Sequence, residues 1–192
     1  VTGINSGSGF VSTDVGRLVR FRDGYGKITG VTDTTNATIS IIKDLGSATA
    51  SADWSLGAFS DTTGHPSCVT FFEQRLVFAG TTNQPQTIFF SKSGDYENMD
   101  ANIGGTVADS DAIIYTIASN RVNKIRFLAP SRDLIVGTAG GEFKVGRPPG
   151  EPLEPGNVNI SQQTTYGVHT TPVVQIGNAL LFVQRQKRKI RE

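Results

Sequence analysis

Sulfur is nearly absent from this chain, which has one cysteine and one methionine in 192 residues. A lone Cys68 excludes an internal disulfide framework and any zinc site built from several thiolates. It lies inside the apolar run CVTFF, where a buried structural thiol is expected. A nucleophilic role would need a base beside it, and His65, three residues away, sits in a Gly-His-Pro turn. His65 and His169 are the only histidines, far apart in sequence and with no carboxylates placed to complete a metal site. Charge of one sign is also lacking: 18 Lys and Arg stand against 17 Asp and Glu, for a net charge of +1. Dedicated nucleic-acid-binding domains usually have a pI above about 9. No apolar run approaches the ~18 residues that cross a bilayer, so no membrane-spanning segment is expected. Helical periodicity is poor as well, because Gly interrupts the windows and β-branched residues dominate.

What remains is a succession of short apolar runs, and the fold class they predict is all-β. Eleven Phe and a hydrophobic content of 37% are enough for a core, while 22 Gly and 8 Pro imply many turns. From about Phe10 to Trp54 the runs RLVRFR (17–22), KITGVTD (27–33) and ATISIIKDL (37–45) are separated by Asp23-Gly24-Tyr25-Gly26 and Asp33-Thr34-Thr35-Asn36. Val19 and Phe21 share one face of the first run and Arg20 and Arg22 the other, as in a half-buried strand. A small β-barrel or sandwich unit is expected here. The small, polar stretch 46–54 then leads to a junction near Leu56 to Gly64, dividing a small β-domain (1–57) from a second domain (58–192).

In the second domain CVTFF (68–72), RLVFAG (75–80) and TIFFS (87–91) read as consecutive antiparallel strands. Further candidates are DAIIYTI (111–117), KIRFLA (124–129), DLIVGT (133–138), GEFKVG (141–146), NVNISQQTT (157–165), TPVVQIG (171–177), NALLFVQRQ (178–186) and KRKIRE (187–192). Ala139-Gly140 and Gly177-Asn178 have the chemistry of tight hairpins that need positive φ. Hairpins recurring at roughly ten-residue spacing predict four-stranded, propeller-like blades. Four blades of about forty residues each exceed the length left. Part of a propeller is therefore expected, and the chain, which opens on Val1 and stops straight after a strand-like run, is expected to be a piece of a longer polypeptide.

The segment from Trp54 to Met99 carries Gly-His-Pro (64–66), Phe-Phe-x-x-Arg-Leu (71–76), Gly-Thr (80–81), Pro-Gln (85–86) and Ser-x-x-Gly-Asp-Tyr (91–96) in that order. This order resembles a region of the tail nozzle proteins of short-tailed bacteriophages (tail tubular protein B-like). TDVGRLVRFRDGYGKITGV (13–31), DSDAIIYTIAS (109–119), DLIVGTAGGEFKVG (133–146), LEPGNVNISQQTTYG (153–167) and NALLFVQRQKRKIRE (178–192) extend the resemblance over most of the chain. It implies a virion tail location, a structural role in a nozzle or tube wall, and a β-propeller with smaller β-domains attached. It also implies a hexameric homo-oligomer in the full-length protein, contacts with portal, adaptor and other tail proteins, and transient passage of double-stranded DNA. A structural family supplies no catalytic residues and no cofactor, so no enzyme is expected.

The residues themselves offer few alternatives. Asp109 and Asp111 straddle Ser110, with Asp95 and Asp100 upstream, and clustered carboxylates bind calcium through oxygen ligands. The run lacks the Gly and distal Glu of an EF-hand loop, and turn-forming or strand-initiating roles are the simpler expectation. TAGGEFKVG (138–146) lacks Gly-Lys-Ser/Thr and leads into a strand, which favours a hairpin over a phosphate cradle. Ser91, Ser93 and Asp95 do not form a nucleophile elbow. Arg185, Lys187, Arg188, Lys189 and Arg191 make the densest positive patch, alternating with Gln and Ile on an apparent strand. A solvated sheet face is the plain reading, and a lumen wall touching DNA weakly and non-specifically is the sharper one. Tyr25, Trp54, Phe59, Tyr96 and Tyr166 fall near turns or junctions, where ring faces either stack on sugars or fill small cores. Sugar stacking would make the chain a propeller-like adhesin for host glycan, the second functional class.

Overall fold

The structure is a computed structural model describing residues 4–22, 24–102, 106–118, 123–177 and 179–192. The protein is all-β, built from several small antiparallel sheets. Its contacts divide it into two compact units, Val1–His65 and Pro66–Glu192. Among the described residues no helix is long and apolar enough to cross a membrane.

The first unit contains β1 (Leu18–Phe21), β2 (Gly24–Val31), β3 (Ala37–Lys43) and β4 (Trp54–Leu56), paired in the order β3-β2-β1-β4. They form one open sheet and not a closed barrel. Gly24, Tyr25 and Gly26, expected in a turn, instead pair with Phe21, Arg20 and Val19, so the β1–β2 connection is tighter than their composition suggests; Asp23 lies outside the described residues. Val19 and Ile28 are buried, and beside them lies a polar core. The Asp14 carboxylate, fully buried, accepts from Asn5 Nδ2 (2.7 Å), the Val11 amide (3.0 Å), Arg17 Nη1 (3.0 Å) and Thr62 Oγ1 (3.0 Å). Arg17 also donates to the Gly57 carbonyl (2.7 Å) and Asn5 Oδ1 (2.8 Å). A buried charge is tolerable only when its hydrogen-bonding capacity is met, and this pair meets it.

The second unit is a succession of meanders. The first sheet is β5 (Cys68–Phe72), β6 (Arg75–Ala79), β7 (Thr87–Phe90) and β8 (Ile113–Thr116), in sequence order. The second is β9 (Ile125–Pro130), β10 (Leu134–Thr138), β11 (Glu142–Gly146) and β12 (Asn159–Thr164), again each strand beside the next. The third holds β13 (Val174–Ile176), β14 (Ala179–Val183) and β15 (Ile190–Arg191). Four-stranded up-and-down sheets of this kind are the building blocks of propellers.

Alternation along each strand decides what lies between sheets. Val77, Phe90 and Ile113 on the first sheet share a core with Leu128, Val136, Phe143 and Val145 on the second. The opposite face of the second sheet offers Phe127, Ala129 and Ile135, which pack against Val168, Leu180 and Phe182 of the third sheet and its approach. Phe127 and Phe182 lie 6.2 Å apart between ring centroids. Each fully buried Val, Leu, Ile or Phe stabilises by roughly 1.5–3 kcal/mol relative to exposure, so these two dry interfaces hold the unit together. Phe127 finds room because position 137 has no side chain: a Cβ on Gly137 would sit 2.3 Å from the Phe127 ring.

The β10–β11 hairpin forms around Ala139-Gly140, but without the expected positive φ. Thr138 closes it instead, its hydroxyl accepting from the Gly140 and Gly141 amides. The β13–β14 hairpin does place Gly177 at φ +59; Asn178 lies outside the described residues.

Candidate nucleic-acid interface

The C-terminal basic run is a hairpin tip. Only Ile190–Arg191 of the expected strand 187–192 pairs, with Phe182 and Val183 of β14. The chain turns at Lys187, whose φ is +60, and the turn is closed by Gln184 N donating to Lys189 O (2.9 Å) and Lys187 N to Gln184 O (2.8 Å). Six consecutive long cationic or polar side chains, Gln184 to Lys189, gain little from a sheet, and their cations repel one another on it, whereas a tip lets them diverge into water. The expectation of a flat charged sheet face is corrected accordingly. Arg185, Lys187, Arg188 and Lys189 are exposed on the loop, and Arg191 sits half-buried on β15.

These five side chains are not equivalent. Arg191 lies over the Tyr166 ring at 4.0 Å and donates to Gln184 Oε1 at 3.4 Å. Arg185 donates from Nη1 to the Ala139 carbonyl (3.3 Å), and its amide reaches the Gly167 carbonyl (2.9 Å). Lys187, Arg188 and Lys189 make no ion pair among the described residues.

Two further groups belong to this region and are invisible in the spacing. The Val168–Gln184 bridge and His169 N donating to Val183 O (2.8 Å) bring the 166–169 segment alongside the hairpin. Arg126, from β9, donates to the Val168 carbonyl at 2.7 Å. His169 is held below its ordinary value, first by desolvation and then by the charges of Lys187 and Arg126. Its Nδ1 accepts from the Thr171 amide (3.2 Å), a bond suited to the neutral ring.

No protein-family model matches this chain, and no curated protein matches it either.

Most of the remaining candidate groups are engaged in the fold. Asp111 is buried, accepts the Ala108 amide (2.9 Å) and pairs with Lys92 Nζ (2.7 Å), which holds its carboxyl below the usual range. It thus closes the turn into β8. Among the described residues no three His, Cys, Asp or Glu side chains stand together as a metal site. Cys68 is half-buried against the first core, and burial pushes its thiol up. His65 is exposed and paired with Asp61 at 3.0 Å. Of the aromatic candidates, Tyr96 packs edge-on against Phe71 at 5.2 Å and Tyr166 carries Arg191. Tyr25 is exposed on β2, whereas Trp54 and Phe59 are half-buried. A shallow depression of about 360 Å³, lined by Gln84, Gln86, Thr87 and Thr116, contains no titratable side chain.

Proposed function

We propose that this chain is a wall segment of a viral tail nozzle, a structural and non-catalytic element past which double-stranded DNA slides during ejection. The observation that carries this reading is the hairpin at 184–189, which offers Lys187, Arg188 and Lys189 to solvent with no ion pair among the described residues. The motif order from Trp54 to Met99 and the blade-like meanders support it. In the full-length protein the segment belongs to a hexameric ring joined to portal, adaptor and other tail proteins in the virion tail, with no cofactor. Three cations suit this role. They neutralise a few phosphates, enough to keep DNA centred but not to arrest it.

Retention on immobilised double-stranded DNA at low salt tests the reading. The chain is expected to elute early, with affinity falling with salt at a slope of about −3 for three phosphate contacts. Lys187→Glu, Arg188→Glu and Lys189→Glu together should abolish retention. A wild-type chain that passes through unretained would remove the DNA-facing role.

A further inference from the structure

Tyr166 stands beside the basic hairpin with 43% of its surface exposed. Its backbone is held from several directions. The Val168–Gln184 bridge is antiparallel, so Gly167 comes beside Arg185, whose amide it accepts (2.9 Å), and Tyr166 lies toward Gln186, next to the turn at Lys187. Gly167 sits at φ +68, where a Cβ would collide with the Ala139 carbonyl, so the chain passes close against the β10–β11 hairpin. The buried Glu142 carboxylate draws on the amides of Tyr166 and Gly167. Arg191 covers the ring at 4.0 Å from its centroid and is itself steadied by Gln184 Oε1 (3.4 Å). A fixed, cation-backed ring thus keeps part of its surface open to solvent, in the same patch as Lys187, Arg188 and Lys189. Arg126 adds a further guanidinium, anchored on the Val168 carbonyl (2.7 Å).

Cations alone read phosphate, and they favour duplex, whose salt dependence runs at about −0.9 per phosphate against about −0.7 for a single strand. An aromatic ring among cations adds a different recognition, because every unpaired base offers a π-face on which the ring can stack. The guanidinium behind the ring strengthens such a stack through its attraction for aromatic faces. Cations beside the ring also favour a base joined to phosphates over a neutral sugar. Within a duplex the base faces are hidden, and they open only at an end or where strands part.

We infer that Tyr166, backed by Arg191, is a stacking platform for an unpaired base, so that this interface binds single-stranded DNA more tightly than duplex. The inference rests on the nucleic-acid reading of the hairpin and adds a specificity to it. Paired DNA meets only the cations and slides past, whereas an open end, whose bases can stack, is held.

Fluorescence anisotropy tests this with a labelled strand of roughly 15 nucleotides, near the upper site size of single-strand-binding folds. The strand is titrated alone and annealed to its complement, at about 50 mM salt. The single strand is expected to bind roughly tenfold more tightly than the duplex, within the range that one stacked base supplies. An abasic sugar-phosphate strand of the same length should lose this advantage. Tyr166→Leu, which keeps an apolar side chain beneath Arg191, should lose it too, and Tyr166→Phe should retain it. Duplex bound as tightly as the single strand would overturn the proposal while leaving the hairpin as a DNA contact. So would an abasic strand bound as tightly as the ordinary one, or a preference that survives Tyr166→Leu. Wild-type protein that binds neither form would remove the nucleic-acid reading and this specificity together.

Discussion

The guanidinium of Arg75 donates to the carbonyl oxygen of Leu153 at 3.2 Å, joining positions 78 residues apart in the chain. The same buried side chain donates to the carbonyls of Ser91 (2.7 Å), Asp111 (2.7 Å) and Asp109 (3.0 Å). The Arg of the Phe-Phe-x-x-Arg-Leu motif is thus a tie between the first sheet, the turn into β8 and the segment that follows the β11 strand. Desolvation pulls its pKa down, and the charges of Asp111 and Glu154 oppose this.

Replacing Arg75 by Met leaves these four carbonyls, and that of Ser110 at 3.5 Å, without that donor. Each buried, unsatisfied polar group costs ~1–3 kcal/mol, so Arg75→Met should destabilise by about 3 kcal/mol or more. Arg75→Lys should recover only part of this, because an ammonium lacks the planar five-donor fork. Urea unfolding measures both. A loss under about 0.5 kcal/mol, the usual range for a surface substitution, would show that the tie is not formed.

In the first unit, the Asp14 carboxyl is pushed up by burial but carried below its ordinary 3.8 by hydrogen bonds from Val11, Asn5, Arg17 and Thr62. A depressed folded-state value means that stability is present above the ordinary value and is lost as pH falls through the folded one. Asp14→Ala should therefore destabilise the first unit near neutral pH, on the order of 2 kcal/mol. The gap to wild type should narrow below 3.8. Thermal unfolding of both proteins along a pH series checks the direction.

The β5–β6 turn offers a stabilising change. Glu73 and Gln74 both sit in the left-handed region, at φ +51 and +58, which costs a side-chain-bearing residue roughly 1–2 kcal/mol. Two-residue hairpins with this geometry favour Asn-Gly. Glu73 is held by Arg147 Nη2 at 2.6 Å, so Gln74 is the position to change. Gln74→Gly should raise stability by about 0.5–1 kcal/mol, measured by chemical denaturation. An equal loss would mean that the turn adopts another form.

Much of the second unit was legible because its strands serve two dry faces. TIFF at β7 is buried on both sides and reads as an unbroken apolar run. DLIVGT announced β10 in the same way, whereas GEFKVG announced β11 through Phe143 and Val145 on either side of Lys144. β4 was not legible, since three half-buried residues carry no period. Asp14 and Arg17 lay in a stretch that resembled a known pattern, yet nothing in polar residues signals burial; that depends on Asn5, Gly57 and Thr62 converging on them. At the candidate interface, composition identified the cations and missed their geometry. Cations alternating with Gln and Ile imitate a strand, while the positive φ at Lys187 makes a turn. Arg126 and His169 join the patch only through the pairing of Val168 with Gln184, a contact between segments that no local spacing encodes.

Glu142 supplies the last prediction. It opens β11 opposite Thr164, whose hydroxyl donates to Oε2. Oε1 is buried and makes no regular hydrogen bond among the described residues. Burial pushes the carboxyl up, opposed by the nearby amides of Tyr166, Glu142 itself and Gly167 and by the charge of Arg191. For a group raised in the folded state, the stabilising contribution is present below the ordinary value, 4.5 here, and is lost as pH rises through the folded value. Glu142→Gln keeps the shape and removes the charge. It should raise Tm near neutral pH, and that gain should shrink to nothing below 4.5, where both side chains are neutral. Arg191→Ala should have the opposite effect, lowering Tm near neutral pH in the wild-type background and much less in Glu142→Gln, because the guanidinium over Tyr166 is also the counter-charge. Equal effects of Arg191→Ala in the two backgrounds would separate the cation from the carboxylate and leave only its stacking on the ring.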